Sequence, residues 1–357
     1  MMKDVQTKAP GKLYIAGEYA VTEPGYPAVL VALDRFIHVQ VSPSKREYGT
    51  ISSPALSEEA LKWTRENGQV SLTEEVESAD ILLSALHTTE QFLLEKGQTL
   101  SYYDILIESE LTSKSGEKYG LGSSGAVTVA VIEALLASLS YPVSDILLYK
   151  LAALAHMKLN SKGSFGDLAA AAYTGWIAYT SFDKEWVQSK QQTHSVSDMV
   201  QLDWPLLSIE KLTPPTSLTL LIGWTGSPAS TEKLVGSAHA HKKKEPYTAF
   251  LTESKACVER LIEAFRTQDK DSLFEEVRRN RKLLQQLSQE NHLMIETPLL
   301  KTLCEIAEAY HAAAKTSGAG GGDCGIALID SLQYKETIEG EWKKHAIVPL
   351  PFKIYQK

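Results

Sequence analysis

The stretch Gly120-Leu-Gly-Ser-Ser-Gly125 ends a predicted loop at residues 112–122 and opens a predicted apolar helix at residues 123–139. The backbone N–H groups of such a loop and the positive end of the helix dipole suit a phosphate chain. Two serine hydroxyls at the start of the helix could bond phosphate or Mg²⁺. The stretch therefore predicts a phosphate-binding loop, and a serine N-cap beside a glycine turn is the simpler structural alternative.

The spacing also matches G-x-G-x-x-G, a pattern found in dinucleotide-binding folds. That class needs a strand running directly into the glycines, and a second strand with an acidic residue after the helix. Here a polar loop precedes the glycines, and a second predicted helix, residues 145–159 with Ser144 as its N-cap, follows the first. The strings G-x-x-x-x-G-K-[ST], H-R-D and D-F-G do not occur in the chain. The Walker A and protein-kinase classes are therefore excluded as well.

Composition limits the remaining function classes. The chain has 357 residues with 36 Lys and Arg against 44 Asp and Glu, which gives a net charge of -8. Such an acidic chain is a poor general nucleic-acid binder, so no nucleic-acid partner is expected. The three cysteines lie far apart with no C-x-x-C pair, as is typical of a reducing compartment. The N-terminus lacks a secretory pattern, and Glu133 interrupts the longest apolar run. A cytoplasmic protein without a membrane partner is the expectation.

Hydrophobic periodicity predicts helices and strands in both halves of the chain. Strands are predicted at residues 28–41, 103–108, 176–179, 218–224, 326–329 and 347–350. Helices are predicted at residues 57–67, 79–96, 123–139, 145–159, 167–172, 230–242, 247–267, 270–290, 298–315 and 331–345. Residues 181–205 show no clear period, and prolines punctuate residues 205–215. We expect an α+β fold with two layers per domain, divided into residues 1–205 and 206–357.

Two further segments are candidates for chemistry. Residues 317–325 contain five glycines, which are costly in backbone entropy unless the chain must bend or admit something close to its backbone. A tight turn is the plainer explanation. The segment Gly163-Ser-Phe-Gly-Asp167 opens a helix of small residues, so Asp167 could be an N-cap. Alternatively Asp167 faces a reacting hydroxyl near the ammonium of Lys12, which would keep the carboxylate ionised.

Three segments in this order resemble the motifs of the GHMP kinase superfamily. They are residues 9–21, Ala-Pro-Gly-Lys-Leu-Tyr-Ile-Ala-Gly-Glu-Tyr-Ala-Val, residues 119–126, and the glycine-rich residues 315–328. The resemblance spans nearly the whole chain. It implies a ribosomal-protein-S5-like N-terminal domain and a ferredoxin-like C-terminal domain, with ATP, Mg²⁺ and a small-molecule substrate meeting between them.

Within the superfamily the sequence is most similar to the bacterial phosphomevalonate kinases. The resemblance implies transfer of the γ-phosphoryl group of ATP to (R)-5-phosphomevalonate, a step of isoprenoid precursor synthesis. Mevalonate kinases usually carry His where Tyr19 stands, and a metal-binding Glu where residues 153–156 have no carboxylate. A mevalonate kinase, the decarboxylating member that acts on the diphosphate, and a non-catalytic metabolite sensor are the alternatives. The oligomeric state is left open.

The resemblance also implies roles for individual residues. Lys12 and Asp167 are the expected catalytic residues, and Ser124 is the expected Mg²⁺ ligand. The expected nucleotide-binding residues are Lys118, Gly120, Leu121, Gly122, Ser123, Ser124 and Gly125. The expected acceptor-binding residues are Lys12, Glu18, Tyr19, Ser164, Gly166, Asp167, Ser230, Gly320 and Gly321. Lys118, Lys162 and Lys315 are further candidate cations, and Ser230 could instead cap a helix.

Overall fold

Two β-sheets organise the chain. The computed structural model describes residues 2–113, 116–161, 163–226 and 245–357. The strands of the first sheet are β1 Val5–Ala16, β2 Pro27–Pro43, β3 Gly49–Ser52, β4 Leu61–Glu66, β5 Gln69–Leu72, β6 Tyr103–Ser109, β7 Trp176–Thr180 and β8 Ser208–Leu212. Their order is β5-β4-β3-β6-β2-β7-β8, and β1 also pairs with β2. The long β2 pairs with β1, β6 and β7 and so holds β1 in the first sheet.

Helices cover this sheet and hold the phosphate-loop candidate in place. They are α1 Asp80–Glu95, α2 Ser123–Ser138, α3 Asp145–Lys158 and α4 Gly166–Tyr173, followed by α5 Lys184–Gln191 and α6 Val196–Met199. Helix α2 packs on β1 and β2 and also contacts α1, α3 and α4. Because neighbours surround it, α2 is apolar on nearly every side, which explains its run of Ala, Val, Ile and Leu.

The second sheet is smaller and entirely antiparallel. Its strands β9 Thr219–Trp224, β10 Ala313–Thr316, β11 Cys324–Ile329 and β12 Val348–Leu350 lie in the order β10-β11-β9-β12. The helices of this half are α7 Glu245–Thr267, α8 Lys270–Glu290, α9 Pro298–Ala309 and α10 Lys335–Lys344. Both α8 and α9 pack against β10. The predicted α+β class is confirmed.

The two halves are closely joined. Residues 352–357 return to the first sheet, where the Tyr355 N–H donates to Ala32 O at 2.9 Å and the Gly175 N–H donates to Tyr355 O at 2.7 Å. Strand β8 follows residue 205 yet pairs with β7. The division at residue 205 therefore stays a prediction. Among the helices in the described part of the chain, none combines the length and apolarity that crossing a membrane requires.

Two predicted helices differ from the structure. Residues 57–67 contain strand β4, in which Leu61 and Trp63 are buried while Lys62 between them is exposed. That alternation belongs to a strand paired with β3, and the pairing overrides the local helix preference. The helix predicted at residues 298–315 ends at Ala309, because His311 adopts a left-handed φ of 66° and β10 follows. The helix predicted at residues 230–242 lies outside the described residues.

Candidate active site

A cavity of about 760 Å³ lies where the end of β1, the start of α2, the start of α4 and the loop after β10 meet. Most of the residues expected to bind nucleotide or acceptor line it: Lys12, Glu18, Tyr19, Lys118, Gly120, Leu121, Gly122, Ser123, Ser124, Ser164 and Asp167. Ser230 and Lys162 lie outside the described residues. The three motifs, far apart in sequence, therefore contribute to one cavity.

The start of α2 has the form expected of an anion site. Gly122 is the N-cap, with a left-handed φ of 75° and no side-chain capping bond. The first intrahelical bond is donated by the Ala126 N–H to Gly122 O, so earlier N–H groups of the first turn have no partner within the helix. The plain serine-cap alternative is not what forms here. The hydroxyls of Ser123 and Ser124 stand at the cavity wall instead.

Glycines allow Lys12 and Asp167 to approach the helix start. A Cβ atom at Gly122 would lie 2.9 Å from Lys12 Cε, and a Cβ atom at Gly125 would lie 2.6 Å from Asp167 Oδ2. A Cβ atom at Gly120 would lie 2.5 Å from Asp323 Cγ. The glycines thus have a packing reason as well as a conformational one, and any side chain at these three positions would have to displace a neighbour.

Lys12 is a buried cation on β1. Its exposed fraction is 8%, its Nζ lies 3.4 Å from Gly120 O, and its backbone N–H donates to Leu121 O at 2.9 Å. Burial lowers the pKa of Lys12 below that of an ordinary lysine, while the carboxylates of Asp167 and Asp323 act in the opposite direction. The ammonium is therefore held in a poorly solvated place that a bound anion would stabilise.

Asp167 is the second residue of α4 and faces the same cavity. The N-cap of α4 is Phe165, whose φ is 62°, so the interpretation of Asp167 as an N-cap is wrong. A carboxylate in the first helical turn is favoured by the helix dipole. Asp167 therefore faces Lys12 and the start of α2 as an anion in the cavity wall.

Sequence reasoning missed several residues of the cavity lining, and Tyr14 and His156 are two polar examples. The Tyr14 hydroxyl lies 2.6 Å from Ser164 Oγ, and its exposed fraction is 9%. His156 lines the cavity, with Nε2 at 3.0 Å from Thr128 Oγ1, and burial lowers the pKa of this imidazole. Tyr14 follows Lys12 by two positions on β1, so strand alternation could have placed it on the same face. For His156 no signal in the sequence was specific.

The loop after β10 is held to the first sheet by buried polar contacts. Glu18 Oε1 accepts from the ammonium of the fully buried Lys315 and from the Gly318 N–H at 3.3 Å. The Tyr19 hydroxyl donates to Ala319 O at 2.5 Å. This pairing engages Lys315 with Glu18, so the ammonium of Lys315 does not face the cavity as a free cation.

Four predicted glycines lie away from the cavity lining. Gly125 stands behind Asp167, and a Cβ atom at Gly166 would lie 2.5 Å from the Tyr14 hydroxyl. A Cβ atom at Gly320 would lie 2.2 Å from Ile295 O, and the Gly321 N–H donates to the same oxygen at 2.8 Å. In this structure Gly320 and Gly321 therefore pack the loop against Ile295.

The residues of the cavity fit a Mg²⁺ ion that binds together with the nucleotide phosphates better than a metal ion held by the protein alone. The described part of the chain contains no group of three or more His, Cys, Asp or Glu side chains placed to hold a metal ion. Mg²⁺ commonly keeps several waters and binds through one or two protein oxygens and substrate phosphates. The Ser124 hydroxyl and the Asp167 carboxylate are two of the oxygen ligands that the cavity offers beside the helix start.

Family models match both halves of the chain. The GHMP kinases N terminal domain matches residues 81–175, and the GHMP kinases C terminal model matches residues 261–348. A phosphomevalonate kinase from Streptomyces sp. (strain CL190) is 39% identical, over 96% of this chain and 95% of its own. A mevalonate kinase from Pyrococcus horikoshii is 26% identical, over 93% of this chain and 91% of its own.

Solved structures agree with the family models. The Lin0012 protein from Listeria innocua has a TM-score of 0.93 and 41% identity, covering 99% of this chain and 98% of its own. Streptococcus pneumoniae phosphomevalonate kinase in complex with phosphomevalonate and AMPPNP has a TM-score of 0.87 and 32% identity, covering 98% of this chain and 100% of its own. The two-domain fold expected from the three motifs is confirmed, and the chain belongs to the GHMP kinase family.

Proposed function

We propose that this chain transfers the γ-phosphoryl group of ATP to the phosphate of (R)-5-phosphomevalonate, giving 5-diphosphomevalonate and ADP in the mevalonate route to isoprenoids. The observation that carries the proposal is that Lys12, Ser124 and Asp167 line one cavity. The substrate follows from relatives, because identity to the Streptomyces phosphomevalonate kinase is 39% and identity to the Pyrococcus mevalonate kinase is 26%.

The glycine loop and the start of α2 would bind the triphosphate of ATP. The Streptococcus pneumoniae relative binds AMPPNP, and its fold covers 98% of this chain. The N–H groups of the first turn, which have no partner within α2, supply donors for phosphate oxygens. Mg²⁺, when bound at the Ser124 hydroxyl, would offset phosphate charge and orient the triphosphate. Lys118, which is exposed at the cavity mouth, adds a positive charge there.

Lys12 would stabilise the transferring phosphoryl group. Two anions must approach each other in this reaction, so a cation between them lowers the barrier by offsetting their repulsion. The Lys12 ammonium is buried beside the glycine loop and opposite Asp167. In this poorly solvated position it interacts with phosphate oxygens more strongly than a surface lysine would.

Asp167 would position the acceptor and keep Lys12 charged. An alcohol acceptor needs a base to take its proton, whereas a phosphate monoester is already largely ionised at neutral pH, since its second pKa is about 6. The carboxylate raises the pKa of Lys12 and lies against the start of α2. Holding the acceptor against the nucleotide is then the main task of this residue.

A coupled ADP-release assay with phosphomevalonate, mevalonate, homoserine and galactose tests the proposal. We expect turnover with phosphomevalonate alone, and loss of that turnover in Lys12→Met. Turnover with mevalonate would instead indicate a mevalonate kinase. Release of CO₂ and phosphate from the diphosphate would indicate the decarboxylating member. Tight ATP binding without turnover of any acceptor would indicate a sensor.

A further inference from the structure

Tyr14 connects three separate segments of the cavity wall. One hydroxyl, Ser317 Oγ, accepts from the Tyr14 N–H at 2.9 Å and donates to Tyr14 O at 2.9 Å, so the loop after β10 fixes the backbone of this residue. The phenol hydroxyl reaches Ser164 Oγ at 2.6 Å, and the ring lies 5.3 Å from Lys12 Nζ. The side chain therefore contacts two of the residues proposed to act on the acceptor.

The difference in burial between Tyr14 and Ser164 favours Tyr14 as the donor of their hydrogen bond. Ser164 Oγ already accepts from the Gly166 N–H at 3.2 Å, and a hydroxyl has one hydrogen and two acceptor sites. If Ser164 donated to Tyr14, the phenol hydrogen of this 9% exposed residue would be left without its one observed partner. A buried donor without a hydrogen bond costs folding free energy. The arrangement in which Tyr14 donates pairs the hydrogen of the more buried residue and leaves the Ser164 hydrogen available at the cavity.

When Tyr14 donates, Ser164 Oγ receives two hydrogen bonds and its own hydrogen is directed elsewhere. Ser164 is half-buried and lines the cavity. A hydroxyl hydrogen aimed into a cavity that binds anions is a donor for a phosphate or carboxylate oxygen. Burial raises the pKa of Tyr14 far above the usual range, which favours the protonated phenol as the donor.

We propose that Tyr14 is a positioning residue whose hydroxyl aims the Ser164 hydroxyl at an anionic oxygen of the acceptor. The inference rests on the proposed function for the identity of the acceptor, phosphomevalonate. According to this inference, Tyr14 affects how tightly the acceptor binds and not the rate of the phosphoryl transfer step. The phenyl ring, which remains in Tyr14→Phe, continues to face the Lys12 ammonium.

The test compares Tyr14→Phe, Ser164→Ala and the double variant in binding and turnover. We expect the Kd of phosphomevalonate, measured by calorimetry without ATP, and its KM to rise about tenfold in Tyr14→Phe, the loss expected when a charge-assisted hydrogen bond is weakened. We expect kcat and the pH profile to stay near those of the wild type. Ser164→Ala should show a similar loss, and the double variant no further loss, because both changes remove one interaction.

Tyr149→Phe is the matched control. Tyr149 is fully buried and its hydroxyl lies 2.8 Å from that of Tyr179, which in turn donates to Ser164 O at 2.6 Å. This change deletes a phenol hydroxyl of the same kind without touching Ser164 Oγ. We expect some loss of thermal stability and an unchanged Kd for phosphomevalonate.

Several results would overturn the inference. An unchanged Kd in Tyr14→Phe, additive losses in the double variant, or an equal loss in Tyr149→Phe would each do so. If Tyr14→Phe does not melt cooperatively, Ser164→Ala decides alone, and an unchanged Kd there overturns the inference. If the wild type binds phosphomevalonate but does not turn it over, the proposed function fails. The comparison of Kd values then still decides the inference about Tyr14. If the wild type does not bind phosphomevalonate, both fail.

Discussion

Lys12 is buried, and the proposed reaction needs its positive charge. The pH dependence of activity should therefore report the loss of its proton. Burial lowers the pKa of Lys12, so the ammonium loses its proton at a lower pH than an exposed lysine does. We expect kcat/KM to fall on the alkaline side with a midpoint below the ordinary lysine value of about 10.4. Bound phosphates favour the charged form, so the midpoint in kcat should be higher than that in kcat/KM.

The control for this profile is Lys12→Arg, since a guanidinium stays charged throughout the range. We expect it to remove the alkaline fall, with a loss of about tenfold to hundredfold in kcat because its geometry differs. Rate profiles of the wild type and Lys12→Arg from pH 7 to 11 cover the range in which a lysine loses its proton and an arginine does not. An alkaline fall of the same midpoint in Lys12→Arg would show that another group is titrating.

Asp167→Asn tests the electrostatic partnership with Lys12. The carboxylate raises the pKa of Lys12, so its loss should move the alkaline midpoint of kcat/KM to lower pH. We also expect kcat/KM to fall by about tenfold to hundredfold, because the acceptor is held less well. Asp183→Asn, which alters the N-cap of α5, is a control for the charge change alone. A midpoint that stays in place in Asp167→Asn would contradict the partnership.

At the residue scale the sequence was informative where glycines and charges mark a motif. Lys12, Ser124 and Asp167 could be placed together because a phosphate site needs such groups to converge. His156 could not, because a histidine on an apolar helix is more often a core residue. Tyr14 was passed over as a core aromatic, although strand alternation places it on the same face of β1 as Lys12. Their place in the cavity depends on the packing of β1 and α3 against α4, which no local pattern specifies.

The start of α2 depends on a glycine at position 122. An Ala there would be strained, since its φ is 75°, at a cost of about 1–2 kcal/mol. Its Cβ would also lie 2.9 Å from Lys12 Cε, the far part of a flexible side chain that would move aside and carry the ammonium with it. We expect Gly122→Ala to lower kcat by about a hundredfold, as the displaced cation no longer meets the transferring group.

Gly97→Ala separates the two effects. Gly97 follows α1 with the same φ of 75°, and a Cβ there would have nothing within 4 Å. Urea unfolding should therefore show a similar loss of stability in both variants, and steady-state assays should show loss of kcat in Gly122→Ala alone. Equal kcat values in the two variants would rule out the displacement of Lys12.

Element prediction succeeded where a helix was long and apolar, and failed where pairing decided the structure. Helices α2 and α3 were predicted to within one residue at each end, and Ser144 caps α3 as expected. Strand β10 was predicted as helix, because its alanines favour helix until His311 turns the chain and β11 offers a partner. Strand pairing depends on residues that are distant in sequence, so a local pattern does not predict it.

At the scale of the molecule, the site exists only when both sheets are in contact. Ser317 bonds the backbone of Tyr14, and Lys315 pairs with Glu18, so β10 and the loop after it are attached to the end of β1. Phe352, from the segment that returns to the first sheet, lies edge-on to Tyr119 at 5.5 Å between ring centroids, beside the glycine loop. The motifs predicted this convergence, but not the residues that secure it.

The buried Glu18–Lys315 pair should be the most costly of these contacts to break on one side. Both side chains are almost completely buried, and Glu18 Oε2 has no hydrogen-bond partner among the residues that the structure describes. In Lys315→Met the buried carboxylate would keep the Gly318 N–H but lose its cation, and we expect a loss of about 3–5 kcal/mol in the free energy of unfolding. Glu18→Gln combined with Lys315→Met should recover part of that loss, because the double variant leaves no buried charge.

Urea unfolding of the wild type, the two single variants and the double variant measures this coupling. Lys301→Met is the matched control, since Lys301 pairs with Glu305 at 3.7 Å with both side chains about three-fifths exposed, and an exposed pair contributes little. Single losses that simply add in the double variant would contradict the coupling. Because the pair fastens the loop that carries Ser317, partial recovery of stability should be accompanied by partial recovery of kcat/KM. If the double variant regained stability without regaining activity, the charges of Glu18 and Lys315 would be needed for the geometry of the site in addition to attaching the loop.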